Sequence, residues 1–166
     1  MKLTLEPVTT ASQIEQVAAL AKQIWHQHYQ ELLGEAQINY MVEKYLSAPV
    51  IAQQLQEGYR YYLAVCEETA CGFCAEKREE KRMFLSKVYV LKEFRRRGIA
   101  SAFLNQVAAD AQGLDNIYLT VNKQNTGSIE AYRKLGFVTI DAVVTDIGNG
   151  YVMDDYIMQK DLNPAQ

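Results

Sequence analysis

Apolar and polar positions along the chain recur with two different periods. From about Ser12, residues Ile14, Val17, Ala18, Ala21, Ile24, Trp25 and His28 fall three and four apart, which predicts an amphipathic helix. A weak alternation over Leu3–Glu6 predicts a first strand ahead of it. A second helix is predicted near 36–46, with Ile38, Met41, Val42 and Tyr45 on one side. Ser47-Ala48-Pro49 reads as punctuation, and Val50–Gln56 as a short helix closed by Gly58. The period then shortens. Tyr59–Cys66, rich in aromatic and β-branched types, turns through Glu67–Ala70 and returns along Cys71–Lys77 as a hairpin. Lys77–Arg82 is a charged turn and Met83–Leu91 a strand. A helix is predicted over 98–111, with Ile99, Phe103, Val107 and Ala111 on one stripe. A strand at 116–121 and a helix at 125–135, closed by Gly136, come next. Phe137–Asp146 and Tyr151–Lys160 are the last strands, joined at Gly148-Asn149-Gly150, whose Asn-Gly pair is a strong hairpin signal.

Strand 83–91, helix 98–111 and strand 116–121 have the lengths of a βαβ unit, which forces two parallel strands and a right-handed crossover. The loops 92–97 and 122–125 then leave the same end of adjacent strands. Ligands bind outside the carboxyl ends of such strands, so topology alone directs attention to these two loops.

Composition narrows the class. The 166 residues suit a single domain spanning 1–166, and 49% hydrophobic with 22% charged residues is a globular balance that argues against disorder. Seventeen basic residues against 20 acidic ones leave a net charge of −3, a poor match for gripping nucleic acid. No apolar run approaches the roughly 18 residues of a membrane span, and Glu6-Pro7 interrupts the start too early for a signal peptide. A soluble, cytoplasmic protein with reduced thiols is expected. The three cysteines are too few for a disulfide framework. In a regular strand Cys71 and Cys74 point to opposite faces, while Cys66 and Cys71 face one another across the hairpin. His26 and His28 lie about 200° apart around a helix. No metal site is expected.

The first loop reads Arg95-Arg96-Arg97-Gly98-Ile99-Ala100-Ser101. The opening amides of a helix have no intrahelical acceptor and carry partial positive charge. Small residues at Gly98 and Ala100 let a phosphate oxygen approach them, and arginine supplies planar forks suited to phosphate. Arginines are misplaced at a helix N-terminus unless an anion joins them. A solvated basic run is the competing reading, and the run alone does not decide. There is no G-x-x-x-x-G-K-[ST] and no G-x-G-x-x-G, which disfavours a Walker-type triphosphatase and a dinucleotide fold.

Val88-Tyr89-Val90 followed by Arg95-x-x-Gly98-x-Ala100 resembles the acetyl-CoA signature of the GCN5-related N-acetyltransferases (GNAT). Leu119-Thr120-Val121-Asn122 and then Asn125-x-x-Ser128-x-x-x-Tyr132-x-x-Leu135-Gly136-Phe137 looks like the family's second segment, with Ser128 where alanine is commoner. Met153–Lys160 looks like its closing strand. The resemblance covers roughly Tyr59 to Leu162. It implies an α/β (α+β) GNAT fold: a mixed, mostly antiparallel twisted sheet with a central parallel pair, flanked by helices. It also implies an acyltransferase that moves acetyl from acetyl-CoA to an amine in a ternary complex, without metal. By the same resemblance, Val88, Tyr89 and Val90 present backbone groups to pantetheine, with the Val90 amide polarising the thioester carbonyl. Arg95, Arg96, Arg97, Gly98, Ile99, Ala100 and Ser101 cradle the diphosphate. Asn122, Asn125 and Ser128 lie along the arm, and Tyr132 is the general acid beside the sulfur. Asn125 as a plain helix cap and Tyr132 as a core residue remain the competing readings.

One departure bears on mechanism. Where many members carry a glutamate on the strand before the loop, this sequence has Phe84. Glu76, Asp154, Asp155 or a water chain could take the amine proton instead. Trp25, Tyr29 and Tyr40 could wall an acceptor pocket. The expected acceptor is a small primary amine, with a polyamine-like cation compatible with the acidic charge. A protein lysine or N-terminus, and a non-catalytic acyl-CoA sensor, are the alternatives. Monomer and homodimer are both open.

Overall fold

The structure, a computed structural model, describes residues 2–31 and 33–162. Its elements follow in the order β1 (Leu3–Pro7), α1 (Ala11–Tyr29), α2 (Glu35–Leu46), α3 (Ala48–Gln56), β2 (Tyr59–Cys66), β3 (Thr69–Arg78) and β4 (Arg82–Val90), then α4 (Ile99–Asp110), β5 (Asn116–Asn122), α5 (Thr126–Lys134), β6 (Val138–Gly148) and β7 (Tyr151–Asp161). The strands form one seven-stranded sheet in the order β1-β2-β3-β4-β5-β7-β6. Every pairing is antiparallel except β4 with β5. The predicted α/β class and its central parallel pair are both present.

Two cores sandwich the sheet. On one face Ile99, Phe103 and Val107 of α4 and Ile129 of α5 pack on Met83, Leu85, Ile117, Leu119 and Met158. On the other, Val17, Ala21, Ile24 and Trp25 of α1, with Ile38 and Ile51 of α2 and α3, cover Tyr61, Leu63, Phe73 and Ala75. The apolar stripes that predicted the helices are the surfaces buried here. Among the described residues no helix is long and apolar enough to cross a membrane.

Local chemistry explains where the elements begin and where expectation and structure part. Thr10 and Gln13 close a reciprocal capping box at the start of α1. The break expected at Ser47-Ala48-Pro49 falls on Ser47, which ends α2 and caps α3, and Pro49 belongs to the second helix. It sits in the first turn of α3, where its missing N–H costs nothing. The β2–β3 turn is tighter than the four residues expected: Glu67 and Glu68 both adopt positive φ, 49° and 72°, and Cys66 pairs directly with Thr69. Asn149 and Gly150, at φ 56° and 79°, make the same kind of turn between β6 and β7.

A bulge in β3 corrects the cysteine geometry. Val65 pairs with Ala70 and Ala64 with Gly72, so Cys71 is the extra residue and has no cross-strand partner in Cys66. The bulge resets the alternation, and Cys66, Cys71 and Cys74 all enter the core under α4 rather than opposite faces. Cys71 Sγ donates to Ala64 O at 3.5 Å. All three are free thiols, and burial pushes Cys71 up to about 11.

Gly72, next to that bulge, lies against β4. A Cβ there would meet Tyr89 O at 2.6 Å and Val90 Cα at 3.3 Å. Gly72→Ala is therefore expected to destabilise the protein by about 1–3 kcal/mol, read as a lower urea midpoint with unchanged slope.

Candidate active site

The parallel pair is brief. Arg82, Met83 and Phe84 pair with Asn116, Ile117 and Tyr118, and there the ladder stops. Beyond it β4 carries a second bulge, since Glu76 pairs with Leu85 and Ala75 with Lys87, leaving Ser86 unpaired. β5 instead stays on β7 as far as Asn122 opposite Asp155. The two strands diverge, and a cleft of about 900 Å³ opens between them and runs to the N-terminus of α4.

The free edge of β4 presents backbone groups that no neighbouring strand uses. Leu91 N–H donates to Cys71 O at 2.8 Å, and Tyr89 O points at Gly72, so these residues face β3. Alternation turns the amides and carbonyls of Val88 and Val90 toward the cleft. Arg95 Nε reaching Val90 O at 3.4 Å agrees with that direction.

The cleft ends at the loop before α4. Arg96 and Gly98 adopt positive φ, 64° and 81°. The first α-helical bond is Ala102 N–H to Gly98 O, and no side chain caps this end. Ile99, Ala100 and Ser101 thus offer amides without an intrahelical acceptor, and nothing lies within 4 Å of where a Gly98 Cβ would be. Arg95, Arg96, Gly98, Ile99, Ala100 and Ser101 line the cleft. Arg97 is not among its lining residues; its guanidinium sits 5.1 Å from the centre of the Phe94 ring.

From α5 the wall receives Asn125, Ser128 and Tyr132, and from β5 Asn122. Asn125 is a helix cap, its Oδ1 accepting from Ser128 N–H at 3.2 Å, and it also faces the cleft. Tyr132 packs edge-on against Phe137 at 5.7 Å. Burial, with the Tyr29 hydroxyl and the Cys74 thiol nearby, drives the Tyr132 hydroxyl well above its usual range, so it stays protonated.

The candidate bases are separated cleanly. Glu76 lies outside this cleft, buried near Arg60 and Asp110, and burial, then Asp110, raises it to about 8. Asp154 is paired with Lys123 at 3.0 Å. Asp155 lines the cleft, is buried, and has an Oδ1 with no hydrogen-bond partner among the described residues. Burial, with Asp154 adjacent, raises its carboxyl to about 6. Trp25 and Tyr29 also line the cleft, their rings 4.3 Å apart. Tyr40 instead donates to Ile147 O at 2.8 Å and packs on Tyr151.

Sequence reasoning passed over His28, considered there only as a metal ligand. A polar residue on the apolar stripe of α1 was the available signal. Arg95 Nη2 donates to His28 Nδ1 at 3.0 Å, while His28 Nε2 faces Asn125 Nδ2 at 3.0 Å. Guanidinium only donates, so Nδ1 is the acceptor and the ring proton sits on Nε2. Burial and the Arg95 charge lower the His28 pKa, keeping the ring neutral. Among the described residues no three His, Cys, Asp or Glu side chains are placed to share a metal ion.

Comparison with known proteins agrees with this architecture. The fold matches that of a PaiA N-acetyltransferase from Thermoplasma acidophilum, solved with coenzyme A, with a TM-score of 0.81 at 21% identity over 98% of this chain and 100% of that one. The ribosomal-protein-S18-alanine N-acetyltransferase of Escherichia coli superposes with a TM-score of 0.74 at 15% identity, covering 99% and 97%. In sequence, N-alpha-acetyltransferase 50 of Danio rerio is 29% identical over 105 residues, covering 61% of this chain and 62% of that protein. The probable N-acetyltransferase san of Drosophila melanogaster is 26% identical over 105 residues, covering 57% of its length. The chain thus spans about three fifths of the curated relatives it matches. Residues 19–137 match the model of the Acetyltransferase (GNAT) family, and the chain belongs to that family.

Proposed function

We propose that this chain transfers acetyl from acetyl-CoA to a primary amine of a small molecule, by direct attack in a ternary complex. The observation that carries the reading is the uncapped start of α4, which opens onto the cleft between the diverging β4 and β5. The α4 amides and the Arg95 and Arg96 side chains suit a diphosphate, and the free edge of β4 at Val88 and Val90 suits an amide-rich arm. The cosubstrate brings an activated thioester, and the residues around it do the rest. Val90 N–H stabilises the oxyanion that forms as nitrogen attacks the carbonyl carbon. Asp155 takes the ammonium proton, directly or through water, supplying the carboxylate that Phe84 does not. Collapse breaks the C–S bond, Tyr132 protonates the departing thiolate, and the second proton of the nitrogen leaves through water to restore the phenol.

A protein acceptor is the second reading. It is favoured by the name of the Escherichia coli structure, a ribosomal-protein-S18-alanine N-acetyltransferase, and by the N-alpha-acetyltransferase name of the zebrafish relative. Release of free thiol, screened across polyamines, amino acids, aminoglycosides and peptides, tests both. Steady turnover with a small amine supports the first reading and turnover confined to peptides the second. Binding of acetyl-CoA without thiol release from any acceptor refutes catalysis.

Tyr132→Phe separates the acid role from packing. It is expected to lower kcat by about tenfold or more while CoA affinity, read by calorimetry, changes less than threefold or so. Equal kcat in the two proteins removes Tyr132 from the chemistry.

A further inference from the structure

Lys87 lies in the cleft in a way the reaction above does not use. It follows the Ser86 bulge, which turns it to the same face as Tyr89, under α1–α3. Nζ donates to Ser86 Oγ at 3.1 Å and to Gln54 Oε1 at 3.4 Å. Gln54 Oε1 also accepts the Tyr61 hydroxyl at 2.5 Å, so its lone pairs are taken. The rings of Tyr61 and Tyr59 stand 5.6 and 5.9 Å from Nζ. No carboxylate is paired with Lys87 among the described residues. Burial alone, with no acid beside it, lowers the ammonium to about 8.

What remains here is donors. The third proton of Nζ, the Ser86 hydroxyl proton and the Gln54 Nε2 protons have no acceptor among the described residues, and all three residues line the cleft. A half-buried charge without a counter-ion, facing an open cleft and ringed by further donors, favours an anion. The aromatic walls oppose a dianion, so one negative charge on two oxygens is the best match. We propose that Lys87, Gln54 and Ser86 form a carboxylate subsite for the acceptor, which therefore carries an acid group at the end remote from its amine. The inference rests on the acetyltransferase reading and narrows it: a polyamine would place a second ammonium against Lys87. Asp155 lies on β7, across the gap that opens where β4 and β5 part and so more than two regular strand spacings, about 10 Å, from β4; amine and acid are therefore joined by a chain rather than by one carbon.

The test compares ω-aminohexanoate, its diamine analogue and hexylamine as acceptors. The wild type is expected to favour ω-aminohexanoate over the diamine by about tenfold or more in kcat/KM, a ratio that falls to near one in Lys87→Met and inverts in Lys87→Glu. A wild-type preference for the diamine, or a ratio that Lys87→Met leaves unmoved, overturns the proposal. A second arm needs no turnover. By calorimetry on CoA-loaded protein, hexanoate is expected to bind the wild type and to lose about tenfold in affinity in Lys87→Met. Equal binding by the two refutes the subsite. CoA affinity, measured alongside, reports that the variants fold. Thiol release without the acid preference sinks this inference alone, whereas hexanoate binding with no thiol release from any acceptor sinks the acetyltransferase reading and leaves the subsite standing.

Discussion

Gly98→Glu is expected to weaken CoA binding by at least about 100-fold, which is about 2.7 kcal/mol. Two effects add. Gly98 holds a φ of 81°, where a β-carbon costs about 1–2 kcal/mol of backbone strain. The new carboxylate would also stand at the one place where α4 offers bare amides to an anion, opposing the diphosphate and occupying its approach. Gly98→Ala separates the two. Its Cβ meets nothing within 4 Å, so it carries the strain without the charge, and its affinity is expected to fall by less than tenfold or so. Calorimetric titration with CoA measures both variants. Wild-type affinity in Gly98→Glu would place the diphosphate elsewhere and remove the basis for reading the loop at all.

That loop was legible because its signal is local. Small residues at 98 and 100 and the stripe of Ile99, Phe103 and Val107 are consecutive facts about one segment, and the βαβ lengths around it fix its neighbours. What escaped depends on register, which composition does not encode. The bulges at Cys71 and Ser86 each insert one residue, and each moves side chains to the opposite face: Cys71 into the core under α4, Lys87 into the cleft. Glu67 and Glu68 hold a two-residue turn usually built from asparagine and glycine, so the turn was expected in place but two residues too long. Arg97 looked like its two neighbours, yet the left-handed turns at Arg96 and Gly98 leave it over Phe94. The choice between Asp154 and Asp155 was a question of phase. Pairing of Asn122 with Asp155 sends Asp155 to the cleft, and a slip of one residue would have sent Asp154 there instead.

Asp155→Asn tests that choice, and stability and activity are expected to move in opposite directions. As general base, Asp155 contributes on the order of 100-fold or more, so kcat should fall by at least that factor. The pH profile should change form as well as height. In the wild type kcat/KM rises with pH until the carboxyl, at about 6, is ionised, and is then level until the acceptor amine itself titrates. In Asp155→Asn only acceptor that is already deprotonated reacts, so log kcat/KM climbs without a break near that pH toward the amine's own pKa of about 10. The stability argument runs the other way. The folded carboxyl sits at about 6 against an ordinary 3.8, so the folded state holds the proton more tightly than the unfolded one. That stabilisation is fully present below the ordinary value and is lost as pH rises through the folded value, above which a buried, ionised carboxylate strains the fold. Asparagine removes the ionised form. The variant is expected to be more stable than the wild type by on the order of 1 kcal/mol near pH 8 and to lose that advantage near pH 4, as read from urea midpoints. A carboxylate kept at a cost in stability and lost at a cost in rate is a functional one. A variant that keeps the wild-type kcat and the break in its profile would assign the proton to another group.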